Sequence, residues 1–274
     1  MEKKGKSYYI TGVITIILAI IILLPIIYCF FVSFMAESEI NSYPPKFIPK
    51  TFYFGNYLQV LSGTLLGRFI INSIILALFA TVARIVIACT SAFAFSFLDF
   101  PLKKFFFFLI LASMVIPGDA LIVTNYLTVT SFSLMDTYLG VMIVYFSDAM
   151  YMFMLRQYMK SIPADFRDAS VMDGCGNFRF FTSIIMPICK PITISVFISS
   201  CVGLWNAYVW PLLITNTPEM RTIQVGITML STEENTAFGA TMAGAIIVLI
   251  PTIVIFVLFK EKIISGVTAG SIKG

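Results

Sequence analysis

The sequence predicts an all-α integral membrane protein: six transmembrane helices and one cytoplasmic helix-turn-helix connection. Three observations lead there. Of the 274 residues 59% are hydrophobic and 12% charged, against roughly 25% charged in a soluble domain. Six apolar segments approach the about 20 helical residues that a hydrocarbon core about 30 Å thick demands. Lysine and arginine are distributed unevenly among the connections, as in a chain oriented across a bilayer.

The segments fall at about 10–34, 69–97, 105–123, 138–155, 192–214 and 237–259, within a single transmembrane domain over 1–274. The first has too long an apolar run for a signal peptide, and no small-residue cleavage site follows it, so a retained anchor is expected. Six spans put both termini on one side. Lys3, Lys4 and Lys6 precede the first span, Lys103 and Lys104 separate the second from the third, and Lys260, Lys262 and Lys273 follow the last. The fourth-to-fifth connection adds Arg156, Lys160, Arg167, Arg179 and Lys190, whereas the opposite side has only Lys46, Lys50, Arg68 and Arg221. The positive-inside rule therefore places both ends and the fourth-to-fifth connection in the cytoplasm. Outside, the loop 35–68 carries Pro44, Pro45 and Pro49, and the loop 216–236 carries Glu219, Glu233 and Glu234. Both are long enough to meet an external partner, or to serve as solvated connectors.

The composition also excludes several functions. The basic residues form no stripe, so no nucleic-acid surface is expected. The cysteines (Cys29, Cys89, Cys175, Cys189, Cys201) contain no C-x-x-C pair, which points to packing rather than to a disulfide framework or a zinc site. The chain has no histidine, so the usual general base, proton relay and metal ligand are missing and no enzyme active site is expected. Gly5-Lys6-Ser7 imitates the end of a phosphate-binding loop, but it lacks the upstream glycine and precedes a span rather than a strand. The phenylalanines at 105–108 and the methionines near 150–154 read as lipid- or core-facing padding. With no internal repeat, the chain lacks the signature of an inverted-repeat carrier.

The connection 161–187 is the informative one. Pro163 and Asp165 suit the first turn of a helix, where a missing N–H costs nothing and a negative charge complements the dipole. Gly174 or Gly176 then ends that helix in a left-handed cap, and Asn177 starts the next. Asp165, Asp168 or Ala169, and Met172 or Asp173 recur at three- and four-residue spacings, displaying a small, acidic face beside a glycine turn. A hairpin lying on the inner leaflet would want a basic polar face instead.

This connection resembles that of the six-span permease subunits of ABC importers, in the carbohydrate-uptake branch that includes the maltose permeases. The family reads E-A-A-x-x-D-G-A, then an apolar residue and proline at a distance. This chain has Asp168-Ala169-Ser170-Val171-Met172-Asp173-Gly174-Cys175 and Ile184-Ile185-Met186-Pro187, with Asp for Glu, Ser for Ala and Cys for Ala at unchanged spacing. Asn72-Ser73, Ile116-Pro117-Gly118, Leu155-Arg156-Gln157, Trp205-Asn206, Trp210-Pro211-Leu212 and the tail 266–274 are similar to the same branch. The resemblance implies that the loop is a coupling helix, with Asp165, Asp168, Ala169, Ser170, Met172, Asp173 and Gly174 docking on a separate ATPase. It implies no cofactor on this chain, since ATP and Mg are bound by the partner ATPase. The implied partners are two ATPase subunits, a second permease (non-identical by the resemblance, with a homodimer open) and an extracytoplasmic sugar-binding protein, all at a bacterial cell membrane. An oligosaccharide is the expected cargo.

Inside the membrane Arg84, Asp119 and Asp148 stand out, because polar groups there are costly and usually face the bundle interior. Arg84 is expected to pair with one of the aspartates, or Arg84 and Asp119 to line the translocation path. Trp205, Asn206, Tyr208 and Trp210 offer the flat faces and hydrogen-bonding edges that suit a sugar, although they also suit interface anchors. The rival reading is an ion-gradient-driven secondary carrier, which would rely on Asp119 and Asp148.

Overall fold

The computed structural model describes residues 6–230 and 238–269, with the side chains of 11–229 and 238–260. The charges of Lys3, Lys4, Lys6, Lys262 and Lys273, the pair Glu233 and Glu234, the Gly5-Lys6-Ser7 sequence and the side chains of the tail 266–274 lie outside the described residues.

The described chain is helical and contains no strand. α1 (Lys6–Ser33) takes the first apolar segment in one piece and is followed by the short α2 (Glu37–Ile40) and α3 (Gly55–Gly63). α4 (Leu66–Ile75) passes through a π-helical turn at Leu76–Ala80 into α5 (Thr81–Phe97). α6 (Lys103–Ser113) leads through a 3-10 turn, Gly118–Leu121, to α7 (Ile122–Ser131), and α8 (Tyr138–Met142) through Ile143–Tyr145 towards α9 (Ala149–Lys160). The 161–187 connection contains α10 (Asp165–Met172) and α11 (Asn177–Phe180), the latter followed by a π-helical turn, Phe181–Ile185, and α12 (Met186–Ile188). α13 (Lys190–Trp205), α14 (Val209–Ile214), α15 (Ile223–Leu230) and α16 (Phe238–Ala269) complete the chain.

Among the described residues three helices are long and apolar enough to cross a membrane alone: Thr11–Val32, Leu66–Phe97 and Phe238–Lys260. Three bent pairs have the length and composition of a further span each, Lys103–Ser113 with Gly118–Ser131 at 94°, Tyr138–Tyr145 with Ala149–Lys160 at 48°, and Asn177–Ile188 with Lys190–Trp205 at 76°. The expected continuous helices at 105–123 and 138–155 are thus interrupted; the 76° bend lies at Cys189, before the expected 192–214 helix, which is itself interrupted between Trp205 and Val209. Proline or a polar cap stands at each of these three interruptions. A proline ring collides with the carbonyl four residues back and has no N–H to give it. For Pro117 that carbonyl belongs to Ser113, where α6 ends, and Pro117 itself is extended (φ −61°, ψ 132°). For Pro211 it belongs to Ala207, between the end of α13 at Trp205 and the start of α14 at Val209. In the fourth crossing Asp148 turns extended (φ −151°, ψ 116°) and its carboxylate caps α9 by accepting from the N–H groups of Met150 and Tyr151.

The chain divides into two compact units. In the first, residues 1–67 and 226–251, Asn56 is buried and donates through Nδ2 to the carbonyls of Ser33 (2.9 Å) and Met35 (2.8 Å). The Phe34 ring packs against Phe52, Phe54 and Tyr57. Gly239 is required where it stands, since a Cβ there would lie 2.5 Å from the Asn56 amide. The apolar side chains of α1 are largely exposed, the condition of a helix whose surroundings are lipid.

In the second unit, residues 68–225 and 252–274, Ala88 and Ala92 lie on one face of α5, where small side chains let helices approach closely. Around them Cys89, Phe93, Met152, Leu155, Met159, Phe180, Ile185 and Cys189 form one buried core. That core joins α5 and α9 to the segment following α10, so the projecting loop is built on the centre of this unit. A second buried cluster gathers Leu76, Ala80, Val129, Val141, Leu204 and Trp210, with Trp210 Nε1 donating to the Val141 carbonyl at 3.2 Å.

Candidate functional site

α10 is a two-turn helix held at both ends. Ala164 precedes it, and its carbonyl accepts from the N–H groups of Arg167 (2.7 Å) and Asp168 (3.1 Å). Asp165 and Asp168 occupy the first turn, where their charge faces the positive end of the helix dipole. At the other end the Gly174 N–H donates to the Val171 carbonyl (3.0 Å) and the Cys175 N–H to the Ser170 carbonyl (2.8 Å). These two bonds, with Gly174 at φ +69°, make a Schellman cap, which favours a residue without a Cβ. Of the two candidate glycines Gly174 is therefore the left-handed one. Gly176 is extended at φ −71° and stands at the N-cap of α11, so Asn177 enters as the first helical residue rather than as the cap.

The side chain of Asn177 is engaged elsewhere. Arg167 Nη2 donates to Asn177 Oδ1 at 2.6 Å, and the Arg167 guanidinium lies 4.8 Å from the centre of the buried Phe180 ring. This clamp ties α10 to α11 and, through Phe180, to the core beneath. It leaves Asp165, Asp168, Ala169, Met172, Asp173 and Gly174 exposed on one projection. Ser170 differs from the other residues expected to dock: it is 2% exposed, turned towards its own chain, and its hydroxyl donates to the Arg167 carbonyl at 2.7 Å. That bond satisfies the hydroxyl locally and explains how serine is accommodated at a buried position where the resemblance expects alanine. Cys175, in the place of another alanine, packs half-buried against the core, as a small hydrophobe does.

Sequence reasoning placed Met172, which is 87% exposed, on this projection but missed the rest of its apolar part: Phe178 is 80% exposed, and Phe166 and Val171 are exposed as well. The signal was present as large apolar residues in an otherwise polar, aspartate-rich connection. A surface with acidic side chains around exposed Met and Phe is suited to a protein groove lined with basic and apolar groups.

The residues expected inside the membrane do not form one cluster. Arg84 is 7% exposed but pairs with neither Asp119 nor Asp148, correcting the expected ion pair. Its Nε donates to the Tyr145 carbonyl (2.7 Å) and its Nη1 to the Ser200 hydroxyl (3.0 Å), and its guanidinium lies 5.9 Å and 5.5 Å from the Tyr145 and Tyr151 ring centres. Asp148 is drawn instead to the N–H groups of α9, and Asp119 is exposed in the Gly118–Leu121 turn. Trp205 and Trp210 are buried in the helix packing. Asn206 and Tyr208 are exposed at the α13–α14 break, with Asn206 Nδ2 donating to the Val202 carbonyl (2.9 Å) and its Oδ1 accepting from Gln224 (3.2 Å). Neither Arg84 nor Asp119 is hydrogen-bonded to Asn206 or Tyr208.

A further polar feature lies between α7 and α8. Asp136, left-handed at φ +55°, accepts through Oδ1 from the N–H groups of Asn216 (2.6 Å) and Thr217 (2.9 Å) and from the Thr217 hydroxyl (3.1 Å). Partial burial alone would raise its pKa, but these donors outweigh that effect and hold it below the usual 3.8. Among the described residues no group of three His, Cys, Asp or Glu is placed to hold a metal ion.

Residues 84–261 match the family described as binding-protein-dependent transport system inner membrane component. Over 275 residues the chain is 32% identical to the sn-glycerol-3-phosphate transport system permease protein UgpE of Rhizobium meliloti (strain 1021), covering 97% of this chain and 98% of that one. It is 29% identical over 227 residues to the arabinooligosaccharides transport system permease protein AraQ of Bacillus subtilis (strain 168), covering 82% and 81%. Its fold matches a solved chain from a bacterial ABC transporter involved in the import of the acidic polysaccharide alginate, with a TM-score of 0.83, 23% identity and coverage of 95% and 99%. The matched residues begin at the buried Arg84, include the helix-turn-helix and reach into α16. The chain belongs to the binding-protein-dependent transport system inner membrane component family, as a multi-pass ABC importer permease.

Proposed function

We propose that this chain is the permease subunit of an ATP-driven importer of carbohydrate, forms half of the translocation path, and is worked from the cytoplasm through α10 by a separate ATPase. The observation that carries the reading is the projection at Asp165 to Gly174. Its acidic and apolar side chains face away from the chain, while Arg167, Ser170 and the Gly174 cap bind it to the core of its own unit. A stiff contact of this kind passes a rigid-body motion of the partner to the spanning helices. ATP and Mg belong to two partner ATPase subunits in this reading. One chain supplies one such projection, so two ATPases imply a second permease, favoured as non-identical.

Both termini and the 161–187 connection lie in the cytoplasm of a bacterial cell, on the strength of the lysine and arginine distribution. An extracytoplasmic sugar-binding protein delivers the solute. The names of the relatives, which span a glycerol phosphate, arabinooligosaccharides and alginate, support a polyhydroxylated cargo, with an oligosaccharide as the working assignment. In membranes containing the whole complex, Gly174→Pro and Asp168→Lys are expected to abolish substrate-stimulated ATP hydrolysis while the chain still inserts and assembles. Normal uptake by both variants would overturn the reading.

A further inference from the structure

A half-open cavity of about 180 Å³ lies in the second unit between α5, α6 and the start of α9. Ser91, Ser113, Ser147 and Asp148 form its polar wall, with Ile110 and Met152 among its apolar neighbours. Its depth follows from the helices: at 1.5 Å per residue Ser113 is about 15 Å along α6 from Lys103, and Asp148 about 18 Å along α9 from Lys160. With Lys103 and Lys160 placed at the cytoplasmic boundary and the helices along the membrane normal, both positions fall near the middle of a hydrocarbon core about 30 Å thick.

Two interruptions of regular helix open on this cavity. α6 stops at Ser113, and the fourth crossing turns extended before α9 at Asp148. Non-helical backbone at membrane depth is tolerated only where it is buried in protein or lines a water-filled cavity, and broken helices are where transporters of other folds hold their solutes. The polar wall has hydrogen-bonding capacity in reserve. Asp148 uses Oδ1 to accept from Met150 (2.9 Å) and Tyr151 (3.4 Å), which leaves its second oxygen. The Ser113 hydroxyl donates to the Ile110 carbonyl at 2.7 Å and keeps its lone pairs, and the Ser91 and Ser147 hydroxyls make no hydrogen bond with the described residues.

Such a wall recognises hydroxyl groups. A carboxylate only accepts, a solute hydroxyl donates and accepts, and serine does both. Arg84 is not among the residues that line the cavity, and Asp148 is the charged side chain on its wall. The volume lies below the roughly 300 Å³ at which pockets for larger ligands begin, so one sugar ring fits rather than a chain. We propose that this cavity is a stopping point on the translocation path for one ring of an uncharged polyhydroxylated solute, and that the Asp148 carboxylate turns anionic solutes away. The proposal rests on the permease reading above and adds the charge class of the cargo to it.

The test uses the complete complex in lipid vesicles, in a background whose five native cysteines are replaced, carrying Ser91→Cys. A cationic methanethiosulfonate is expected to label this position about tenfold faster than an anionic one of similar size, as attraction to a nearby negative charge dictates. Maltose should slow the labelling and glucuronate should not. Adding Asp148→Asn, which keeps the α9 cap because asparagine caps as well as aspartate, should bring the two reagents to the ratio they show with a free thiol. Equal labelling by both reagents with Asp148 present, absence of labelling, or equal protection by maltose and glucuronate would overturn the proposal. ATP-driven uptake by the unmodified complex is measured in parallel. Uptake with an inert or unselective Ser91→Cys sinks this inference alone, whereas its absence with an ATPase bound sinks the permease reading.

Discussion

Arg84 carries a charge into a spanning helix and meets no carboxylate there. It is accommodated by a carbonyl, a hydroxyl and two aromatic faces, and Ser200 is tied in turn to Thr81 at 3.0 Å. Each hydrogen bond to a charged group contributes on the order of 1.5–3 kcal/mol, so this cluster reads as a brace between α5, the fourth crossing and α13. Arg84→Met, which keeps the length of the side chain, is expected to cost about 3 kcal/mol and to lower the thermal midpoint of the detergent-solubilised protein, with Arg84→Lys intermediate. Unchanged stability with lost uptake would assign Arg84 to the path instead. Arg84 was conspicuous in the sequence as a lone charge in an apolar segment. Its partners were not, because a backbone carbonyl at Tyr145 and a hydroxyl at Ser200 carry no mark that distinguishes them from their neighbours.

Among the elements, the interrupted helices and α10 obey simple local rules. Pro117 and Pro211 end helices at the turn whose carbonyl each would strike, and Pro25 and Pro251 are instead absorbed within α1 and α16. The same residue type thus breaks one helix and passes within another, which is why the expected straight crossings at 105–123 and 192–214 did not survive. α10 shows the reverse: cap, glycine and acidic first turn were legible because each acts within a few residues. Its two glycines separate cleanly. Neither would meet a neighbour through an added Cβ, so only the backbone angle distinguishes them. Gly174→Ala places a side chain at φ +69° and is expected to cost about 1–2 kcal/mol, to speed hydrogen exchange at the Gly174 and Cys175 amides and to weaken coupling. Gly176→Ala, at φ −71°, should leave exchange nearly unchanged. Equal effects of the two would remove the Schellman cap from the account.

On the scale of the whole molecule, the distribution of lysine and arginine specifies an orientation that can be read directly. In intact cells Lys46→Cys is expected to react with a membrane-impermeant maleimide, and Met172→Cys only after permeabilisation. The opposite pattern would reverse the assigned sides and remove α10 from reach of a cytoplasmic ATPase. By itself the sequence determined which segments live in lipid, which connection projects, and which family the chain resembles, since hydrophobicity, charge bias and short motifs are properties of neighbouring residues. The tertiary structure decided what depends on residues far apart in the chain. It showed that Ser170 turns inward while Ala169 and Met172 face out, that Arg84 is held without an aspartate, and that Ser91, Ser113 and Asp148 share one cavity. The physical reason is common to all three: a side chain's partner is set by how helices pack and where they break, and neither is written in the spacing of any single segment.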